Sequence, residues 1–386
     1  MAPCQDLIVG NLMSNRMLCI HQGAELYGSD RSFLAAVEAL SGAKKNVDVI
    51  LPCDGELARK LVELDRVSIS FYKKGVLRRR ELMRPFKFMF DCLSGFWFYT
   101  RLFRNYPVVY INTVVMFSAL LAATLYRFSS RRMICHVREI PTGLQLIMFR
   151  ALLSASGAEL VFNSNATRSA FNLPGAVIYN GVEEYDDGGC HKSNSTETGR
   201  VAQNVNLLII GRVNEWKGQS FFIESLAQLS CELKECFSVR VVGSPFQGYE
   251  YLLDNLKSLI EKNGLEKIVS LYPFCSDTEV HYQWADYVIV PSTKPEPFGR
   301  VAIEAFSFRK PVIAAAHGGL LEIIDNTVNG FLFSPNETSS LKSTLSSLPT
   351  LCQNQYEEMS SMAYSKFKEC FSVDSYRNNI VSLFNG

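Results

Sequence analysis

The chain has 386 residues, 47% hydrophobic and 20% charged, the composition of an ordinary globular protein long enough for two separate cores. A formal net charge of +1 excludes a whole-molecule field for nucleic acid. The 11 cysteines are odd in number and scattered, with no CxxC pair, which argues against a disulfide framework or a zinc site and for a reducing compartment.

Residues 1–15 lack a basic head and a continuous apolar core, so no signal peptide is expected. Short β-type runs follow at 17–21, 47–51, 67–71, 108–111, 133–137, 160–163 and 176–179. Helical patterns such as 29–40 and 144–154 separate them. The apolar run 107–128 is near the length of a membrane span, but Asn112 and Thr113 divide it into a β-type half and a helix-type half. It reads as a buried strand followed by a buried helix. Residues 183–204 are polar, with Gly and Ser, and read as a linker or mobile loop. Alternation then resumes, with strands at 207–210, 239–242, 268–271, 287–290, 311–315 and 330–333. Helices fit 219–230, 249–263, 301–308 and the stretch after 339. The reading is an α/β chain of two doubly wound Rossmann-like domains, 1–182 and 205–370, with a separate final segment, 371–386. In such sheets ligands bind beyond the carboxyl ends of the strands, and two facing sheets would enclose a cleft.

Three clusters in the second domain follow strands. Gly211-Arg212-Val213-Asn214-Glu215-Trp216-Lys217-Gly218 precedes a helix, so two cations and free backbone N–H groups make an anion site. The alternative is a pair of solvated surface charges. In the segment 295–304, Glu296 lies in a loop stiffened by Pro297, Gly299 lets the backbone approach a ligand, and Glu304 falls one turn into the next helix. Two carboxylates on one pocket accept hydrogen bonds from vicinal hydroxyls, while the N–H groups of Phe298 and Gly299 can meet phosphate oxygens. The alternative is a surface Glu296 with Glu304 paired to Arg300. His317-Gly318-Gly319 makes a further donor-rich turn before a helix, with Glu322 structural.

In this order and spacing the clusters resemble glycosyltransferase family 4, retaining enzymes of the GT-B fold. The E-x7-E pattern is matched by Glu296 and Glu304, GRxxxxKG by Arg212 and Lys217, and the GGxxEII ending within 315–324. The first domain is similar more loosely: Gly23 and Gly28 stand in what looks like the family's Gly-rich first loop, with the glycines spread apart. His136 looks like its His-bearing strand end, against the alternative of a satisfied structural histidine. The resemblance implies that Glu296, Arg212, Lys217 and His136 act on the reacting group. Glu296 holds hydroxyls of the moving sugar, the two cations offset charge on the departing diphosphate, and His136 contacts the sugar's primary hydroxyl. The donor-binding set implied is Glu304, Gly211, Phe298, Gly299, Arg300, Val301, Gly23, Gly28, Gly243 and Phe274. No DxD motif follows a strand, so neither metal nor other cofactor is expected. The final segment 371–386 looks like the family's last helix, which crosses back to the first domain.

The implied reaction moves a hexose or deoxyhexose from a UDP- or GDP-sugar to a saccharide acceptor. The rivals are a sugar-nucleotide epimerase or hydrolase on the same fold and a non-catalytic nucleotide-sugar-binding scaffold. Within 73–104 the chain carries Lys73, Lys74, Arg78, Arg79, Arg80, Arg84, Lys87, Arg101 and Arg104 among Phe86, Phe88, Phe90, Phe96, Trp97, Phe98 and Tyr99. This suits an anionic membrane surface better than nucleic acid, or else a solvated helix whose aromatics pack on the core. On the membrane reading the acceptor is lipid-linked and the protein peripheral on the inner face of the cytoplasmic membrane. By family analogy its role is then bacterial surface-polysaccharide assembly (O-antigen, capsule or exopolysaccharide).

Overall fold

Runs of β-branched and aliphatic residues lead the chain into strands buried on both faces, which requires helices on both sides of each sheet. The computed structural model describes residues 16–26, 28–77, 85–185, 204–275 and 277–385. The chain divides into two units, Met1–Gly181 with Val373–Gly386, and Val182–Ser372.

In the first unit, the described residues form one parallel sheet. Its strands are β1 (Arg16–Ile20), β2 (Asn46–Leu51), β3 (Val67–Phe71), β4 (Val108–Asn112), β5 (Arg132–Val137), β6 (Glu159–Phe162) and β7 (Ala176–Val177). Their order is β3-β2-β1-β4-β5-β6-β7. The helices are α1 (Gly28–Gly42), α2 (Glu56–Val62), α3 (Pro85–Phe103), α4 (Phe117–Ala123), α5 (Leu144–Ser156) and α6 (Asn165–Phe171). Alternation along β1 splits the core. Leu18 and Ile20 join Tyr99, Phe103 and Leu120 on one face, while Met17 and Cys19 join Phe33, Leu40 and Ile380 on the other. The apolar run 107–128 folds as β4, a turn and α4, the division that Asn112 and Thr113 predicted. No described helix is long and apolar enough to cross a membrane.

The second unit repeats the plan with β8 (Val205–Ile210), β9 (Phe237–Val242), β10 (Val269–Tyr272), β11 (Tyr287–Val290), β12 (Val312–Ala315) and β13 (Gly330–Phe333). Their order is β10-β9-β8-β11-β12-β13, again parallel. The helices are α7 (Gln219–Ala227), α8 (Cys231–Lys234), α9 (Tyr251–Lys262), α10 (Glu279–Trp284), α11 (Arg300–Ser307), α12 (Leu320–Ile323), α13 (Thr338–Ser347) and α14 (Gln353–Lys366). The predicted helix 219–230 is in fact two. The Ser230 side chain accepts from the Leu233 N–H and so caps a new start. Of the predicted linker, residues 186–203 lie outside the described residues.

The last helix, α15 (Val373–Asn385), packs on α1 within the first unit. Its buried Tyr376 hydroxyl donates to the Ser32 carbonyl at 2.9 Å and accepts from Arg138 Nη2 at 3.0 Å. Both sheets reverse direction beside their first strand, between β1 and β4 and between β8 and β11. At such a point neighbouring loops diverge and leave a crevice beyond the carboxyl ends.

Candidate functional site

At the second unit's reversal point, the loops leaving β8 and β11 carry Lys217 and Glu296. Lys217 Nζ lies 2.7 Å from Glu296 Oε1, and Ser292 Oγ donates to the same oxygen at 2.6 Å. Glu296 is only 5% exposed, so its charge depends on these two partners more than on water. The Glu296 loop rests on the two glycines that precede α12. A Cβ on Gly318 would stand 2.3 Å from the Glu296 carbonyl oxygen, and Gly319 N donates to that oxygen at 2.8 Å. The glycines expected to offer N–H groups thus form the floor of the loop. His317 Nε2 donates to the Ser292 carbonyl at 2.8 Å, and burial lowers its pKa. Gly299 also has a packing role: at φ 116° it caps α11, and a Cβ there would meet Leu320 at 2.7 Å.

Asn214 corrects one expectation about the β8 loop. Its Oδ1 accepts from the backbone N–H groups of Trp216 at 3.1 Å and Lys217 at 2.8 Å, so these two donors are already taken. Gly218 lets this loop touch the next, since a Cβ would stand 1.8 Å from the Pro291 carbonyl oxygen. Gly243 does the same on the other side, where its Cβ would be 1.9 Å from the Gly211 carbonyl oxygen, while a Cβ on Gly211 would meet open space. The Arg212 guanidinium carbon lies 3.3 Å from the ring centre of Phe246, on the loop after β9. Phe274, after β10, exposes its ring and donates its backbone N–H to Ser244 Oγ at 3.0 Å. Glu304 Oε1 accepts from Arg300 Nε at 2.8 Å, and Oε2 from the Tyr282 hydroxyl at 3.0 Å. The helical pairing that the sequence left open therefore forms, and each carboxylate oxygen retains a second lone pair. Val301, the next residue of α11, is half-buried. Among the described residues, no group of three His, Cys, Asp or Glu side chains gathers as a metal site.

The first unit's reversal point holds a buried polar network. His21 Nε2 lies 2.6 Å from Asp30 Oδ1, and its Nδ1 lies 2.7 Å from Asn112 Nδ2. Gly23 makes room for this pair, because a Cβ would stand 2.3 Å from Asp30 Oδ1. Gly28 opens α1, and its carbonyl accepts from Ser32 Oγ at 3.1 Å. Arg138 Nε donates to Asn112 Oδ1 at 2.6 Å, Nη1 to Asn180 Oδ1 at 2.5 Å, and Nη2 reaches His136 Nδ1 at 3.2 Å. Arg138 can only donate, which fixes the Asn112 amide with Nδ2 toward His21. His21 Nδ1 is then an acceptor and its proton sits on Nε2, facing Asp30. His136 follows the same logic: Nδ1 faces Arg138 and the Tyr110 hydroxyl at 2.7 Å, and its proton falls on Nε2, a buried atom with no partner among the described residues. Burial, with Arg138 beside it, holds the His136 pKa well below its ordinary value. The His136 side chain, expected to contact a sugar hydroxyl, is fully buried.

Of the basic aromatic stretch, residues 78–84, with Arg78, Arg79, Arg80 and Arg84, lie outside the described residues. The rest forms α3, whose aromatics divide. Tyr99 and Phe103 enter the core, while Phe86 (83% exposed), Phe90 and Trp97 (58%) face outward with Met89 and Leu93. Trp97, Phe98, Arg101, Asn105 and Tyr72 line an open groove of about 530 Å³.

Residues 193–366 match the family described as glycosyl transferases group 1. An uncharacterised glycosyltransferase of Methanocaldococcus jannaschii is 32% identical over 183 residues, 45% of each chain. A D-inositol 3-phosphate glycosyltransferase of Catenulispora acidiphila is 36% identical over 131 residues, 33% of this chain and 31% of its own. The chain thus spans less than half the length of these curated relatives. Among solved structures, Anabaena HepE in complex with UDP and glucose superposes with a TM-score of 0.75 at 23% identity, covering 96% of this chain and 99% of its own. The fold is GT-B. Within the group 1 region two further residues touch the predicted ones: Ser292, four residues before Glu296 on the same loop, and Tyr282, which meets Glu304 only through a tertiary contact.

Proposed function

We propose that this chain is a retaining, metal-independent glycosyltransferase of family 4. It moves a hexose or deoxyhexose from a UDP- or GDP-sugar to a lipid-linked saccharide in cell-surface polysaccharide assembly. The observation that carries the reading is the Lys217–Glu296 contact at the second unit's reversal point, with Arg212 on the same β8 loop. A buried carboxylate beside a cation suits a sugar hydroxyl on one side and a phosphate on the other. In the proposed reaction Lys217 and Arg212 offset the charge that grows on the departing diphosphate, and Glu296 fixes the sugar's hydroxyls. Glu304 accepts from the ribose hydroxyls with its remaining lone pairs, oriented by Arg300 and Tyr282. The outward row of α3 supports a place on an anionic membrane, where the acceptor lipid lies, at the inner face of the cytoplasmic membrane.

A thermal-shift panel of UDP-, GDP- and ADP-sugars tests the donor. The matching donor raises the melting temperature by mass action. Glu296→Ala and Lys217→Ala are expected to remove that rise and to abolish transfer while remaining folded. Wild-type transfer in both variants would refute the assignment. Rapid epimer or free-sugar formation without acceptor would replace it with the epimerase or hydrolase reading.

A further inference from the structure

Both cations of this site lie over aromatic rings: Lys217 Nζ stands 4.5 Å from the centre of the ring of its chain neighbour Trp216, whereas Arg212 is covered by a ring from another loop. Its guanidinium carbon stands 3.3 Å from the centre of the Phe246 ring, which is 55% exposed. The loop that displays Phe246 is tied at two points beside the ring. Val213 N donates to the Ser244 carbonyl at 3.2 Å, and Phe274 N donates to Ser244 Oγ at 3.0 Å. The Gly211–Gly243 approach holds the bases of the two loops together. A flat cation stacked on a ring keeps its in-plane N–H groups directed outward, the geometry with which guanidinium grips phosphate oxygens. An unstacked arginine at a loop would have to give up rotamer freedom on meeting its ligand.

We propose that Phe246 is a positioning residue for Arg212, holding the guanidinium plane so that its edge meets a diphosphate. The inference rests on the donor-site reading above. It assigns Phe246 to the phosphate end of the ligand and not to the base.

The test measures binding to the full-length chain by calorimetry, with inorganic pyrophosphate as a base-free probe and UDP and GDP beside it. Phe246→Ala should weaken pyrophosphate and the bound nucleoside diphosphate by the same factor, roughly three- to thirtyfold. Phe246→Tyr should restore both. In an Arg212→Ala background, Phe246→Ala should cost nothing further, a coupling that a general loss of loop structure would not give. Melting temperatures of all variants confirm that they fold. A loss confined to the nucleoside diphosphates, with pyrophosphate unchanged, would put the ring against the base and overturn the inference. An undiminished loss in the Arg212→Ala background would overturn it too. If wild-type protein binds neither probe, the donor-site reading itself fails, and that outcome is recognised without any variant.

Discussion

Glycine 318 illustrates how much of the site is backbone. It sits at φ 62°, and a Cβ would collide with the carbonyl oxygen and nitrogen of Glu296 at 2.3 and 2.7 Å. Gly264 has nearly the same φ, 64°, with open space where its Cβ would stand. The two positions separate strain from collision. Gly264→Ala should cost about 1–2 kcal/mol, the left-handed penalty alone. Gly318→Ala adds displacement of the Glu296 loop, so its cost should exceed that of Gly264→Ala, and it should also weaken nucleotide-sugar binding. Urea unfolding with a binding titration checks both, and equal losses with intact binding would show that the loop does not rest on Gly318. The same economy governs the buried histidines. Arg138, which only donates, sets the Asn112 amide, which sets the His21 tautomer, so one residue orients a chain of three.

At the scale of elements, α3 faces two environments at once. Tyr99 and Phe103 anchor it to the sheet, while Phe86, Phe90, Leu93 and Trp97 stand clear of the described core. Replacing Phe90 and Trp97 together by Ser should leave the melting temperature nearly unchanged and reduce co-flotation with vesicles containing anionic phospholipid. Undiminished flotation would remove α3 from the membrane reading. The sequence made the strands legible because aliphatic runs such as VVYIN and YVIV can be buried only in a covered parallel sheet. The short helices α2 and α6 escaped, since seven residues hold too few turns for periodicity to show. Within the site, Lys217 and Glu296 were legible as local motifs after strands. Tyr282 was not, because its partner Glu304 lies on another helix.

For the whole molecule, the enclosed histidines predict how stability depends on pH. Burial lowers the pKa of both His21 and His136 in the folded chain. The unfolded chain takes up those protons near its ordinary value of about 6.5, so it binds more protons than the folded one below that pH. Stability should therefore fall as pH falls from 7.5 through 6, by up to about 1.4 kcal/mol per pH unit for each histidine. Glu139, whose pKa burial raises, opposes this once its folded form begins to take a proton. Urea unfolding across this range should show the decline, and His136→Asn should make it shallower; an unchanged slope would contradict the assignment. The placement of α15 has a consequence of another kind. A ribosome that has made residues 1–181 must add roughly 190 more before Tyr376 exists. At synthesis rates of about 5–20 residues per second, that delay is about 10 to 40 s. Until it ends, Ser32 and Arg138 lack their phenol, and the α1 face of the first sheet has no cover from α15. The second unit, though translated later, is the first that can close on residues entirely its own.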